Sequence, residues 1–191
     1  MESLKRRIRQ EGRNLGQGIL KIDSVINHQV DATLMLEAGA EFARSFTDCH
    51  PTRILTAEVS GIIPAMATAY AMGLPLVYAR KHKPVTMTDP VFVEFAPSHT
   101  KGGEVSLMVS PEFLHAEDRV LIIDDFLATG NTIDAMARIV ESAGATLVAI
   151  GALVEKSFEN GREALSHLDV PIVSLVIINE MRDDGTIIFA K

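Results

Sequence analysis

Two adjacent carboxylates, Asp124 and Asp125, directly follow the apolar run Val120-Leu121-Ile122-Ile123, and shortly after them comes the stretch Ala128-Thr129-Gly130-Asn131-Thr132. An unbroken apolar run of this length reads as a strand buried on both faces. The stretch behind it reads as a loop opening a helix, expected near Ile133. A helix N-terminus carries unpaired N–H groups and a partial positive charge, so it holds a phosphate dianion. Gly130 allows close backbone approach and unusual dihedrals, and Thr129 and Thr132 add hydroxyl donors. Carboxylates facing a phosphate would repel it. Facing sugar hydroxyls or a metal ion they are useful. Phosphate, diol and a magnesium ion together suggest a phosphorylated ribose. The plain structural alternative is a capped strand-to-helix turn with a charged rim. It accounts for Thr132 but poorly for two acids side by side at a strand end.

Competing chemistries lack their residues. There is no Gly-Lys-Ser/Thr phosphate loop, no Gly-x-Gly-x-x-Gly, no His-Glu-x-x-His, no Gly-x-Ser-x-Gly and no EF-hand loop. Asp183-Asp184-Gly185 reads as a turn.

The elements that must position the two acids alternate along the chain. Leu4 and Ile8 mark an amphipathic N-terminal helix whose basic face is solvated. Asp31 reads as an N-cap, with Leu34, Leu36, Ala38, Phe42 and Phe46 on one side of the following helix. Strands are expected at Arg53–Glu58, Leu76–Ala79, Val120–Ile123, Leu147–Val154 and Ile172–Ile178. Helices are expected from Pro64 to Met72 and from Thr132 to Ala143. Residues 81–105 read as a mobile excursion with short hairpin strands at 91–95 and 104–109. This pattern predicts an α/β fold, a mainly parallel sheet with helices on both faces, preceded by a small N-terminal segment. Ligands of such sheets sit at the carboxyl ends of the strands.

Bulk properties limit the partners. The 191 residues suit a single domain, and a net charge of −7 argues against a protein that coats nucleic acid. No apolar run approaches the roughly 20 residues that span a bilayer, so no membrane partner is expected. The single cysteine, Cys49, can form no intrachain disulfide and fits a reducing, cytoplasmic setting.

The segment from Val120 to Thr132 resembles the 5-phosphoribosyl diphosphate (PRPP) signature of the type I phosphoribosyltransferase family. The resemblance implies that Ala128, Thr129, Gly130, Asn131 and Thr132 hold the 5-phosphate and that Asp124 and Asp125 meet the ribose hydroxyls. It implies a diphosphate-binding loop around Glu58, Ser60 and Gly61. The excursion opening at Arg80-Lys81-His82-Lys83 corresponds to the family's flexible catalytic loop, with Arg80 and Lys81 facing the leaving diphosphate. Magnesium is expected to travel with PRPP rather than in a protein cage, and no protein metal site is expected. The segment Ile19 to Gln29, within a base-covering region of about residues 1–30, and the block Val154-Glu155-Lys156-Ser157-Phe158 are similar to the bacterial xanthine-using branch. That branch implies purine contacts from Leu20, Asn27 and Lys156. Its phosphate loop often has Asn and Ala where this chain has Thr129 and Thr132.

The implied reaction moves 5-phosphoribose from PRPP to a 6-oxopurine. Lysine suits a carbonyl oxygen, so Lys156 disfavours adenine, whose C6 carries an amino group. Guanine stays open, because Asn27 can flip to offer an acceptor to the C2 amino group. A surface lysine paired with Glu155 or Glu159 is the plain alternative for Lys156. A PRPP-sensing regulator would need a DNA-binding domain for which there is no room before the core. Relatives in this family imply a homodimer.

Overall fold

A computed structural model describes residues 1–97 and 103–190. Helix α1 (Glu2–Glu11) leads into a small hairpin, β1 (Arg13–Asn14) and β2 (Leu20–Lys21), a π-helical turn at Asp23–Asn27, and helix α2 (Ala32–Phe46). Then follow β3 (Arg53–Ala57), α3 (Ile62–Met72), β4 (Leu76–Ala79), β5 (Phe92–Pro97) and β6 (Glu104–Val109). The C-terminal half holds β7 (Arg119–Leu127), α4 (Asn131–Ser142), β8 (Thr146–Lys156), α5 (Gly161–Ala164), β9 (Ile172–Met181) and β10 (Ile187–Phe189).

The continuously apolar strands form the middle of a six-stranded sheet of order β10-β9-β8-β7-β3-β4. All its pairings are parallel except β9 with β10. Successive strand residues face opposite sides. Leu121 and Ile123 of β7 join a core with Phe42 and Phe46 of α2 and Leu4 and Ile8 of α1, while Val120 and Ile122 join a second core with Met136, Ile139 and Val140 of α4. The hairpin of β5 and β6 closes the second face through Ala96, Leu107 and Val109. Burying each such aliphatic side chain contributes about 1.5–3 kcal/mol. The sheet is thus covered on both sides, as the alternating pattern predicts.

Several boundaries differ from the sequence reading. Strand β7 continues through both acids to Leu127, because β8 runs beside it as far as Lys156. Helix α4 runs from Asn131 to Ser142, one residue ahead at each end of the expected Thr132–Ala143. In α2 the Asp31 carboxylate caps the helix, accepting a hydrogen bond from Leu34 N–H at 3.1 Å. Leu36, however, is 48 % exposed, and Met35 and Gly39 join Leu34, Ala38, Phe42 and Phe46 in the core. At about 100° per residue, Leu36 falls almost opposite Leu34. The basic face of α1 is partly committed: Arg7 Nη1 lies 3.1 Å from Asp31, and the Arg9 guanidinium sits 5.0 Å from the Phe189 ring centroid. Within the expected excursion the hairpin forms, while residues 98–102 lie outside the described residues.

Candidate active site

Asp124, Asp125 and the loop behind them line a cavity of about 380 Å³ where β3, β7 and β8 end. This size suits a small-molecule site. Gly130 stands just before α4 with φ at 86°, and no side chain caps the helix. The first N–H groups of α4 therefore open toward the cavity, where Ala128, Thr129, Gly130, Asn131 and Thr132 form one wall. Gly161 explains how the loop keeps its shape. A Cβ there would lie 2.9 Å from both Gly130 N and Leu127 Cδ1 and would press on the Ala128 carbonyl.

The two acids are not equivalent. Asp124 is 6 % exposed and accepts a hydrogen bond from Asp125 N–H at 3.0 Å. Burial, together with the charge and carboxyl of Asp125, pushes the Asp124 carboxyl well above the usual carboxylate range, with Lys81 pulling weakly the other way. Two carboxyls this close repel when both are ionised, and a hydroxyl or a cation supplied by a ligand would relieve that. Among the described residues no group of three His, Cys, Asp or Glu could hold a metal ion.

The base-side residues arrive from both ends of the chain. Leu20, Asn27 and Lys156 all line the same cavity. Lys156 is buried; it donates from Nζ to the Gly18 carbonyl at 2.6 Å and lies 3.3 Å from Glu159. Its ammonium also sits 5.3 Å from the Phe126 ring centroid. The plain alternative of an exposed lysine paired with an acid is half right: the partner is Glu159, but the lysine is not on the surface. Glu155, on the opposite face of β8, turns to Arg162 and Ser174 instead.

Glu58, Ser60, Gly61 and Lys81 line the same cavity, with Gly61 packed against Asp124. The Glu58–Val59 peptide is cis. The Glu58 carboxylate accepts from Lys81 N–H at 2.6 Å and pairs with Arg80 Nε at 2.7 Å. Arg80 is the one predicted site residue absent from this cavity. It lines a second cavity of about 500 Å³ beside β4, with Tyr78, Met87 and Phe113. That cavity is larger, yet it gathers no helix N-terminus and no carboxylate pair. Sequence reasoning missed Ile19, Phe126 and Pro97 as cavity walls. It also missed Gly18 as a partner of Lys156. Phe126 was legible as the next residue after the acids. The others carry no local signal.

Residues 31–184 match the model of the phosphoribosyl transferase domain. The chain belongs to the phosphoribosyltransferase family. It is 50% identical over 188 residues to a xanthine phosphoribosyltransferase of Deinococcus deserti, covering 98% of this chain and 97% of that protein. It is 44% identical over 190 residues to one of Lacticaseibacillus casei, covering 100% and 98%. Among solved phosphoribosyltransferases, the adenine enzyme of Thermoanaerobacter pseudethanolicus superposes with a TM-score of 0.74 at 26% identity, covering 91% of this chain and 99% of that one. The adenine phosphoribosyltransferase of Trypanosoma brucei shares the fold at a TM-score of 0.78 and 20% identity, covering 95% and 82%. The matched phosphoribosyltransferase domain begins at Asp31, so Ile19, Leu20 and Asn27 reach the cavity from outside it.

Proposed function

We propose that the protein transfers 5-phosphoribose from PRPP to N9 of xanthine, giving xanthosine 5′-monophosphate and diphosphate. One observation carries this: a helix N-terminus suited to phosphate, a carboxylate pair suited to a diol, and Leu20, Asn27 and Lys156 all line one cavity. The near full-length likeness to proteins named xanthine phosphoribosyltransferase supports the choice of base.

Backbone N–H groups of residues 128–132 and the hydroxyls of Thr129 and Thr132 hold the 5-phosphate. Asp124 and Asp125 accept from the ribose hydroxyls. The bond from C1 to the diphosphate oxygen breaks, its electron pair leaving with diphosphate; the bond from C1 to N9 forms, and the N9 proton is taken up by the released diphosphate. Catalysis comes from positioning and from stabilising the departing diphosphate beside the Val59, Ser60 and Gly61 N–H groups and Lys81, with Arg80 joining when the segment 81–91 ahead of β5 closes and excludes water. Asp124 and Asp125 would accommodate a magnesium ion carried in with PRPP, which would neutralise diphosphate charge. Lys156 donates to a purine carbonyl, Asn27 to the C2 oxygen, and Leu20 packs on the ring.

Residues 1–191 act as one domain, in which about residues 1–30 cover the base. The protein works in the cytoplasm; among the described residues no helix is long and apolar enough to cross a membrane. By analogy with the family the protein forms a homodimer, for which the exposed Met66 and Tyr70 of α3, one turn apart, offer an apolar patch. The test is diphosphate release from PRPP and magnesium with xanthine, guanine, hypoxanthine, adenine and orotate. Turnover mainly with xanthine is expected. Turnover mainly with another base would overturn the base assignment, and PRPP binding without turnover would overturn the enzyme.

A further inference from the structure

We propose that Glu159 is a positioning residue for the purine site, acting through Lys156. This rests on Lys156 serving as a purine donor. An ammonium carries three N–H donors on a flexible stem, so an unrestrained lysine is a poor reader of one particular oxygen. Here one direction is fixed by a hydrogen bond and the ammonium is held beside a carboxylate. One N–H goes to the Gly18 carbonyl at 2.6 Å, and Glu159 Oε1 lies 3.3 Å from Nζ. The Phe126 ring stands 5.3 Å from the ammonium. The ammonium so held still lines the cavity and can donate into it.

The chain builds this locally. A single 3-10 turn, Ser157–Glu159, follows Lys156 and brings a residue three positions on over its predecessor. The Lys156 and Glu159 side chains are only 7% and 14% exposed, so solvent screens the pair weakly. Glu159 also supports the N-terminal segment. A Cβ at Gly18, where φ is 75°, would lie 3.1 Å from Glu159 Oε1. The carboxylate therefore stands beside the lysine and leaves little room for a side chain on the turn whose carbonyl the lysine holds. It also balances the lysine charge, so the base end presents a directed donor without a net positive charge that would draw PRPP phosphates.

Glu159→Ala is expected to raise the purine KM about tenfold, the loss of one well-directed hydrogen bond to a charged group. The PRPP KM should stay within about twofold, since the phosphate-binding groups are untouched. Glu159→Gln keeps an acceptor oxygen and should restore most of the purine KM. In a Lys156→Ala background, itself high in purine KM, Glu159→Ala should add nothing. A Glu159→Ala effect on both KM values alike, no rescue by Gln, or full additivity with Lys156→Ala would overturn the positioning role. A Lys156→Ala variant with normal purine KM would instead overturn the reading of Lys156, and the role of Glu159 with it.

Discussion

Gly61→Ala should weaken the protein and its PRPP site together. The backbone at Gly61 is right-handed helical, with φ −61° and ψ −24°, so alanine fits the dihedrals. On conformational grounds alone the change would stabilise by about 0.4–1 kcal/mol. Contacts decide otherwise. The new Cβ would lie 2.5 Å from Thr56 Oγ1, 2.6 Å from Asp124 Oδ1 and 3.1 Å from the Ala57 carbonyl. A carbon and an oxygen rest at about 3.3 Å or more, so two buried groups must each yield by roughly 0.7 Å. Overpacking of this kind costs about 1–3 kcal/mol. The net loss is therefore about 1–2 kcal/mol, a fall in Tm of about 2–8 °C for a chain of this size. Moving the Asp124 carboxylate should also cost about tenfold to a hundredfold in kcat/KM for PRPP. Adding Thr56→Ala removes the nearest atom and should recover part of the Tm but little of the PRPP turnover. Differential scanning calorimetry and initial rates read both quantities. A Tm at or above wild type, or normal PRPP kinetics with a lowered Tm, would refute the assignment of Gly61 as the contact that seats Asp124.

Three further outcomes follow from the site. Gly161→Ala should push on the Ala128 carbonyl and Gly130 N–H, raising the PRPP KM about tenfold or more while the purine KM changes little; steady-state kinetics would show it. Burial pushes the Glu155 carboxyl up, but hydrogen bonds from Arg162 and Ser174 and the Arg162 charge hold it below the usual range. Its stabilisation is present above the unfolded value and is lost as pH falls through the lower folded one. Arg162→Ala should cost about 1–2 kcal/mol after allowing for the exposed guanidinium, and should move the acid-unfolding midpoint to higher pH in a circular-dichroism titration. Asp124 has the opposite sign. Its raised folded pKa stabilises the ligand-free protein below the unfolded value, and that contribution is lost as pH rises. Asp124→Asn should flatten this slope and raise the ligand-free Tm near neutral pH while weakening PRPP binding; a variant melting below wild type from pH 6 to 8 would contradict it.

Much of the fold was legible because its signals are local. Apolar runs bounded by glycine and proline mark β3, α3, β4 and β7 within a residue or a few. The ends of β7 and α4 were misjudged because pairing with β8, not local composition, carries the strand through Asp124 and Asp125. Leu36 is apolar yet faces outward, because two residues on from Leu34 it lies about 200° around the helix. The antiparallel β10 and the π-helical turn at Asp23–Asn27 have no distinct pattern in a sequence this mixed.

By itself the sequence determined the strand, acid pair and phosphate-type loop of residues 120–132, since contiguous residues share one local geometry. Tertiary structure alone decided what surrounds them. Gly18 and Lys156 are separated by 138 positions and meet only because the N-terminal hairpin packs over the end of β8. Strand alternation sends Glu155 to Arg162 and Lys156 to the cavity, so the lysine pairs with Glu159, one of two candidate acids. Arg80 turns to Glu58 and the second cavity, while its neighbour Lys81 reaches the first. Charge and spacing name the candidates for such contacts; packing selects among them, because a buried ion keeps only the partner that the surrounding backbone brings within reach.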